Sequence, residues 1–381
     1  MKLAFAGGGT GGHLAPGAAI LEELRIQGDN TPALFLTAGR SSGGMGGVFL
    51  RSRGVSISTA VISPRRWWTI PRAIFRNFRG YRRSLRELKL DRPELVVGLG
   101  GYVSVPSVLA ARRLNIPVVL HEQNRVLGRA NRFLSRSAIL VIGSFPFRSS
   151  AGGEKIRDGI GFPIRQSARE SVPPGTATGW GLKSDRFTIL ILGGSRGARP
   201  VNLLIEKLLP LLKGREDSLQ FIHCSGADDA VMMEEAYRVA GVDAAVFLGL
   251  DSIGWGYSLA DLVVGRAGGA TLGEIAYWGL PSIMIPYPWA MDDHQLENAR
   301  YFESAGAALV YEQADLSETR LRDSIFHLLD DQDELKRMSS ASRGLYVPGA
   351  AGRMIELFKE VIEIRRNTKF QASKFIINAY P

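Results

Sequence analysis

Glycine clusters mark the places where this chain could do chemistry. The first, Gly7-Gly8-Gly9-Thr10-Gly11-Gly12-His13, follows the apolar run Lys2–Ala6 and precedes a helical pattern beginning near Pro16. Glycines let backbone N–H groups close on an anion, and a helix start adds its partial positive charge, so a phosphate site is the physical expectation. The spacing also satisfies the glycine pattern of a dinucleotide fold, which further needs an acidic residue about 20 positions on. The second run ends Thr37-Ala38-Gly39-Arg40, with no carboxylate. That argues against NAD. Arg40 could meet a 2′-phosphate, so an NADP oxidoreductase stays open.

A second glycine turn, Gly98-Leu99-Gly100-Gly101-Tyr102, also lies between a strand and a helix, with Ser104 placed to cap that helix and Pro106 in its first turn. A tight turn needing positive φ is the plainer explanation. Two such turns opening toward one edge suggest a pyrophosphate. His121-Glu122-Gln123-Asn124 comes directly after the apolar run Pro117–Leu120, where a site should lie, unless it is only a polar loop. In the second half, Gly193–Gly197 repeats the strand-then-glycine pattern, and so does Arg266-Ala267-Gly268-Gly269-Ala270-Thr271-Leu272-Gly273-Glu274. N–H groups of Gly269, Ala270 and Thr271 could hold a diphosphate, and Glu274, one turn on, could accept from ribose hydroxyls or merely answer the helix dipole. Gln295, at another helix start, could bond sugar hydroxyls or be solvated. Asp331 and Asp333 follow no strand and resemble a solvated helix face, and the five histidines are scattered, so no metal site is expected.

The elements that must carry these residues alternate. Short β-rich runs (2–6, 32–37, 94–98, 117–120, 138–142, then 188–192, 220–223, 245–248, 262–264, 282–285, 308–311) are separated by helical patterns. Such alternation implies parallel sheets with right-handed crossovers. The pattern starts twice, which predicts an α/β chain of two doubly wound, Rossmann-like domains facing a central cleft, with ligands beyond the carboxyl ends of the strands. The expected domains are 1–161 and 162–349, joined where Pro163, Pro173, Pro174 and Gly175 interrupt any pattern. A helix at about 350–366 is expected to cross back onto the first domain, and 367–381 shows no pattern and reads as a disordered tail.

Composition sets the class. With 381 residues, 45% hydrophobic and 22% charged, the chain is an ordinary globular protein, and its single cysteine, Cys224, fits a reducing compartment. No apolar run reaches the roughly 20 residues of a membrane span, and the N-terminus lacks a signal-peptide core. The net charge of +10 is uneven. Residues 1–160 hold 24 Lys and Arg against 9 Asp and Glu, a net of +15, and the rest hold 23 against 28, a net of −5. The excess centres on eight arginines from Arg65 to Arg86, including Arg66, Arg79 and Arg82, interleaved with Trp67, Trp68, Ile74, Phe75, Phe78, Tyr81 and Leu85. Positions 74, 78, 81 and 85 share one helix face. The segment could be a solvated amphipathic helix, an interfacial patch on anionic lipid, or a nucleic-acid surface. The adjacent tryptophans favour the membrane.

Taken together, these segments resemble the UDP-N-acetylglucosamine–N-acetylmuramyl-(pentapeptide) pyrophosphoryl-undecaprenol N-acetylglucosamine transferase family of bacterial cell-wall synthesis. The residues that carry the resemblance are Gly8–His13 with Pro16, Gly100–Tyr102 with Ser104 and Pro106, His121–Asn124 with Gly128 and Asn131, Gly193–Ala198, 266–274, and Asp293, Gln295, Asn298 and Ala299. The resemblance implies the GT-B fold and transfer of N-acetylglucosamine from its UDP sugar to the C4 hydroxyl of the muramyl sugar of lipid I, giving lipid II with inversion and no cofactor. It implies that His13 or Glu122 is the general base. Thr10, Gly11, Gly12 and Asn124 would lie near the transferred sugar, Arg165 and Ser195 near the nucleotide, and Leu250 at the uracil edge. Gly269, Ala270 and Thr271 would meet the diphosphate, Glu274 the ribose and Gln295 the sugar hydroxyls. Gly9, Gly100, Gly101 and Tyr102 would receive the acceptor pyrophosphate. The arginine-rich patch would rest on the cytoplasmic face of the cell membrane as a peripheral contact, with no nucleic-acid partner. A UDP-sugar epimerase of the same fold remains the alternative. The sequence departs from the family at the glycine- and serine-rich 39–47, at Gly269 and Gly273, and over the last residues.

Overall fold

The computed structural model describes residues 1–8, 11–37, 52–59, 70–149, 155–194 and 197–377. They form two compact units, Met1–Pro163 with Pro348–Pro381, and Ile164–Val347.

The first unit holds strands β1 (Leu3–Ala6), β2 (Leu34–Thr37), β3 (Arg53–Ser56), β4 (Leu95–Gly98), β5 (Val118–Glu122), β6 (Leu140–Gly143) and β7 (Ile156–Arg157). They pair in the order β3-β2-β1-β4-β5-β6-β7, all parallel, with Phe5 opposite Phe35 on one side and Val97 on the other. Strands buried on both faces read as continuous apolar runs, which is why β1, β2, β4, β5 and β6 stand out in the sequence. The edge strands β3 and β7 do not. β3 is exposed at three of four positions and β7 has only two residues, so neither offers an apolar run.

Helices α1 (Gly11–Ile26), α2 (Ile70–Asp91), α3 (Ser104–Arg113) and α4 (Arg129–Leu134) connect these strands. α1 begins well before Pro16, which places His13 in the first turn of the helix rather than in a loop. Ser104 is not the N-cap of α3. It is the first helical residue, and its Oγ donates to the carbonyl of Gly101 at 2.7 Å. β5 is longer than its apolar run and ends at Glu122, so His121 and Glu122 are strand residues opposite Ile142 and Gly143.

The second unit repeats the scheme. Strands β8 (Phe187–Leu192), β9 (Leu219–Cys224), β10 (Ala244–Phe247), β11 (Leu262–Gly265), β12 (Ser282–Met284) and β13 (Ala308–Val310) pair in the order β10-β9-β8-β11-β12-β13, again all parallel. Its helices are α5 (Arg199–Leu208), α6 (Ala230–Ala240), α7 (Ile253–Leu259), α8 (Gly269–Trp278), α9 (His294–Ser304), α10 (Glu318–Asp330) and α11 (Gln332–Gly344), with single turns at Gln166–Arg169 and Thr176–Gly179. In both sheets the strand order reverses beside the first strand of the repeat, between β1 and β4 and between β8 and β11. Those reversal points are where open α/β sheets bind ligands.

The last helix, α12 (Ala350–Ile377), belongs to the first unit. Met354, Ile355, Phe358, Val361 and Ile362 pack in one core with Leu14, Ala18 and Leu21 of α1. It continues past Arg366 to Ile377, where the sequence predicts a disordered tail from 367. No glycine or proline interrupts residues 367–377, and nothing in that stretch stops a helix.

Candidate active site

In the first unit, the carboxyl ends of β1, β4 and β5 gather one group of polar residues. Gly100 and Gly101 have φ of +82° and +73°, two successive left-handed residues that side chains would strain. The turn they make is crowded. A Cβ on Gly101 would stand 3.9 Å from His13 Nε2, and one on Gly100 would stand 3.4 Å from the side-chain nitrogen of Asn131. The imidazole of His13 is therefore packed against the second glycine turn.

Glu122 is 5% exposed. Its Oε1 accepts from the backbone N–H of Asn124 at 3.1 Å and from the Asn124 side-chain amide at 3.0 Å. Its Oε2 accepts from Gly128 N–H at 3.0 Å and from Asn131 Nδ2 at 2.9 Å. A carboxylate offers about four lone-pair sites. All are used, so a proton could be taken only by breaking one of these bonds. Glu122 ties the end of β5 to the start of α4. Asn131 also donates to the carbonyl of His121 at 3.1 Å. His121 itself is buried beside Ser144, with Nε2 and Oγ 2.9 Å apart, and burial pushes its pKa down to about 3.

In the second unit the site lies at the ends of β8, β10 and β11. Past β8, Gly197 is closely covered: a Cβ there, at φ +75°, would lie 2.1 Å from the carbonyl oxygen of Ser225. Ser225 follows β9, and the carbonyl is held by Asn202 Nδ2 at 2.9 Å. Asn202 in turn meets His223 and Asp229, and Asp229 meets Arg199. His223 is buried neutral, its pKa near 3.

After β11, Gly268 is the extended N-cap of α8, and Gly269, Ala270 and Thr271 are its first turn. The N–H groups of a first turn have no helical partner, and no acidic residue offsets the positive helix end there. Glu274 follows one turn later and is 6% exposed. Its Oε2 accepts from the Tyr257 hydroxyl at 3.0 Å, and its Oε1 lies 3.9 Å from Arg165 Nη2. Burial raises its pKa, opposed by the Arg165 charge and the Tyr257 hydrogen bond. The Nε of Arg165 is buried with no partner among the described residues. Leu250 is half-buried after β10, and Gln295, in the first turn of α9, accepts from Tyr287 N–H at 2.9 Å.

The structure thus groups His13, Gly100, Gly101, Glu122 and Asn124 on one sheet edge, and Arg165, Gly269, Ala270, Thr271 and Glu274 on the other. Tyr102 lies at the first edge and is half exposed. Gly11 and Gly12 open α1. Gly9, Thr10, Arg40, Arg66, Trp67, Trp68 and Ser195 lie outside the described residues. Tyr257 escapes notice in the sequence because a tyrosine in an apolar helix reads as core. The available signal was its hydroxyl, since a buried tyrosine O–H needs a partner. Among the described residues no group of three His, Cys, Asp or Glu converges as metal ligands. Asp331 caps α11, its Oδ1 accepting from Glu334 N–H at 2.8 Å.

The N-terminal domain of glycosyltransferase family 28 matches residues 3–142, and its C-terminal domain matches residues 188–354. The UDP-N-acetylglucosamine–N-acetylmuramyl-(pentapeptide) pyrophosphoryl-undecaprenol N-acetylglucosamine transferase of Geobacter sulfurreducens is 36% identical over 93% of this chain and 97% of its own. The enzyme of that name from Anaeromyxobacter sp. (strain K) is 33% identical over 97% of this chain and 95% of its own. The crystal structure of Acinetobacter baumannii MurG superposes with a TM-score of 0.70 at 27% identity, covering 94% of this chain and 99% of that one. A UDP-GlcNAc 2-epimerase from Neisseria meningitidis has a TM-score of 0.67 at 11% identity over 94% of this chain and all of its own, which is a likeness of fold alone. By sequence over nearly its whole length, the chain belongs to glycosyltransferase family 28, within the family of UDP-N-acetylglucosamine–N-acetylmuramyl-(pentapeptide) pyrophosphoryl-undecaprenol N-acetylglucosamine transferases.

Proposed function

We propose that this protein transfers N-acetylglucosamine from UDP-N-acetylglucosamine to the C4 hydroxyl of the muramyl sugar of lipid I, forming lipid II. The observation that carries the reading is the first turn of α8: three N–H groups at a positive helix end, with a buried carboxylate one turn on. That is a diphosphate site beside a ribose acceptor, which is what a UDP sugar requires. Family membership supplies the sugar and the acceptor. The NADP alternative rests on the first glycine loop and Arg40 and does not use α8 or Glu274.

In the reaction the bond between sugar C1 and the UDP oxygen breaks and a bond from C1 to the acceptor O4 forms on the opposite face. The hydroxyl proton goes to His13, and the charge left on UDP is met by the N–H groups of Gly269, Ala270 and Thr271, with Arg165 nearby. Glu122 is the weaker candidate for the base because its lone pairs are occupied. Glu122 and Asn124 would shape the loop beside the transferred sugar. Glu274 takes the ribose hydroxyls. With its carbonyl held by Tyr287 N–H, Gln295 has its NH₂ to offer a sugar hydroxyl. Gly100, Gly101 and Tyr102 would receive the acceptor pyrophosphate.

Support for a peripheral membrane position comes from α2. Its inner face is Ala73, Gly80, Ser84 and Leu88, with Tyr81 and Leu85 partly covered. Ile74, Phe75 and Phe78 are left outward at 55%, 59% and 54% exposure. The expected single apolar face at 74, 78, 81 and 85 is therefore split. Gly80 explains this: a Cβ there would meet the Ser58 carbonyl at 2.3 Å, so the helix presses its glycine side inward. Arg72, Arg76 and Arg79 line a cavity of about 530 Å³ with Ser56, Ser58 and Thr59, suited to anionic headgroups. No helix among the described residues is long and apolar enough to cross a membrane. The cytoplasmic leaflet, where the UDP donor is available, is the face this reading assigns.

The direct test is to incubate the protein with labelled UDP-N-acetylglucosamine and a short-chain lipid I analogue. A β-linked disaccharide product and stoichiometric UDP are expected. Epimerised UDP sugar formed without any acceptor would point to the alternative enzyme instead.

A further inference from the structure

Tyr257 is the largest fully buried side chain of the described residues, 1% exposed on α7. Packing alone would be served by phenylalanine, so its hydroxyl needs an explanation. The hydroxyl donates to Oε2 of Glu274 at 3.0 Å. The helix that carries it has no slack. A Cβ on Gly254 would meet the Glu170 carbonyl at 2.5 Å, and one on Gly256 would stand 3.2 Å from Leu190 and Leu250. The turn Gln166–Arg169 is tied to α8 in turn, because Trp278 Nε1 donates to the Ala168 carbonyl at 2.8 Å. Three short segments are thereby locked around one carboxylate.

The two oxygens of that carboxylate are unequal. Oε2 is taken by Tyr257. Oε1 accepts no hydrogen bond from the described residues, and its nearest cation, Arg165 Nη2, stands at 3.9 Å, beyond hydrogen-bond reach. The Arg165 Nε is buried and unpartnered. Oε1 is thus left with acceptor capacity, and on the same arginine a buried donor has no partner, which costs free energy unless a ligand fills it.

We propose that Tyr257 is a positioning residue of the nucleotide site: its hydroxyl clamps Oε2 of Glu274 so that Oε1 is presented to the ribose diol of the donor. This rests on the reading of Glu274 as the ribose acceptor and adds what aims it. The groups that face Glu274 are Arg165 from the turn before Gln166 and Tyr257 from α7. Cys224 of β9 lies behind Tyr257, and burial raises its thiol to about 12, so it stays neutral.

The test uses the full chain and two probes, UDP and 2′,3′-dideoxy-UDP, which lacks both ribose hydroxyls. Affinities are measured by calorimetry for the wild type, Tyr257→Phe and Glu274→Ala. In Glu274→Ala the preference for UDP over the dideoxy nucleotide is expected to vanish. If that variant keeps the wild-type preference, the ribose reading of Glu274 itself fails, and with it this inference. In Tyr257→Phe, UDP affinity is expected to fall about fivefold to tenfold while dideoxy-UDP affinity stays within about twofold, and UDP binding should weaken more steeply than wild type as pH falls from about 7.5 to 5.5. Retained dideoxy-UDP binding also shows that the variant is folded. If Glu274→Ala behaves as expected but Tyr257→Phe changes neither affinity, or loses both together, Tyr257 only packs and the inference is overturned.

Discussion

The side-chain amide of Asn131 donates to Oε2 of Glu122 at 2.9 Å, joining the first turn of α4 to the last residue of β5. With Gly128 on the same oxygen and Asn124 on the other, the carboxylate fixes the whole bend between strand and helix. In Glu122→Gln the carboxamide nitrogen would point at N–H donors. We expect a loss of about 1–3 kcal/mol in unfolding free energy, read by denaturant titration, with a fall in kcat/KM that follows the misplaced loop. A variant of unchanged stability would show that the four hydrogen bonds are not made in solution.

His13 carries a different expectation. His13→Ala should leave the fold and UDP affinity intact and lower kcat by about 10²–10⁴, the range for loss of a general base. Near-normal turnover with the lipid I analogue would remove the assignment.

Glu274 adds a pH dependence whose sign follows from burial. Its carboxyl protonates at higher pH than a free glutamate, and only the carboxylate can accept from both ribose hydroxyls. Donor affinity should therefore be full above that raised pKa and decline as pH falls through it. Calorimetry in a pH series should show this slope in the wild type. In Glu274→Ala the slope should be absent and the affinity lower by about tenfold or more, equal to about 1.4 kcal/mol or more.

Membrane association should depend on the outward side of α2. Phe75→Ser with Phe78→Ser should abolish most cosedimentation with vesicles containing anionic lipid. Arg72→Ser, Arg76→Ser and Arg79→Ser together should remove the part that added salt suppresses. Binding that survives both sets would place the contact elsewhere.

Two buried histidines make the fold acid-sensitive. His121 and His223 each have a pKa near 3, below the usual value, because burial disfavours the imidazolium. The unfolded chain takes up protons first, so their contribution is full above about pH 6.5 and declines as pH falls toward 3. Between about pH 7.5 and 5 each histidine should cost on the order of 2 kcal/mol of stability. Denaturant titrations at the two pH values would check this, with His223→Gln expected to flatten part of the slope.

Most of the fold was legible because both sheets are parallel and covered on both faces, so their central strands are unbroken apolar runs between glycine turns. The edges were not. β3, Arg-Gly-Val-Ser, exposes three of its four residues, and its place is set by pairing with β2, which a local pattern does not reveal. The glycine loops and Glu274 were legible because helix-start chemistry is local. Tyr257 and the Asn131–Glu122 bond were not, since each joins residues whose meeting depends on the packing of two elements. His121 and Glu122 looked like loop because polarity hid two further strand positions. The segment after Arg366 looked shapeless because its polar residues show no stripe, yet nothing in it breaks a helix.

The packing of α12 against α1 also constrains how the molecule is made. Met354, Ile355 and Phe358, with Val361 and Ile362, complete a core whose other members lie between residues 3 and 142. On the ribosome, the unit 164–347 has all its parts before the first unit does. Residues 3–142 must wait, incompletely covered, for 354–362 to emerge, and truncation just before Ala350 should strand them in an aggregation-prone state while leaving 164–347 able to fold.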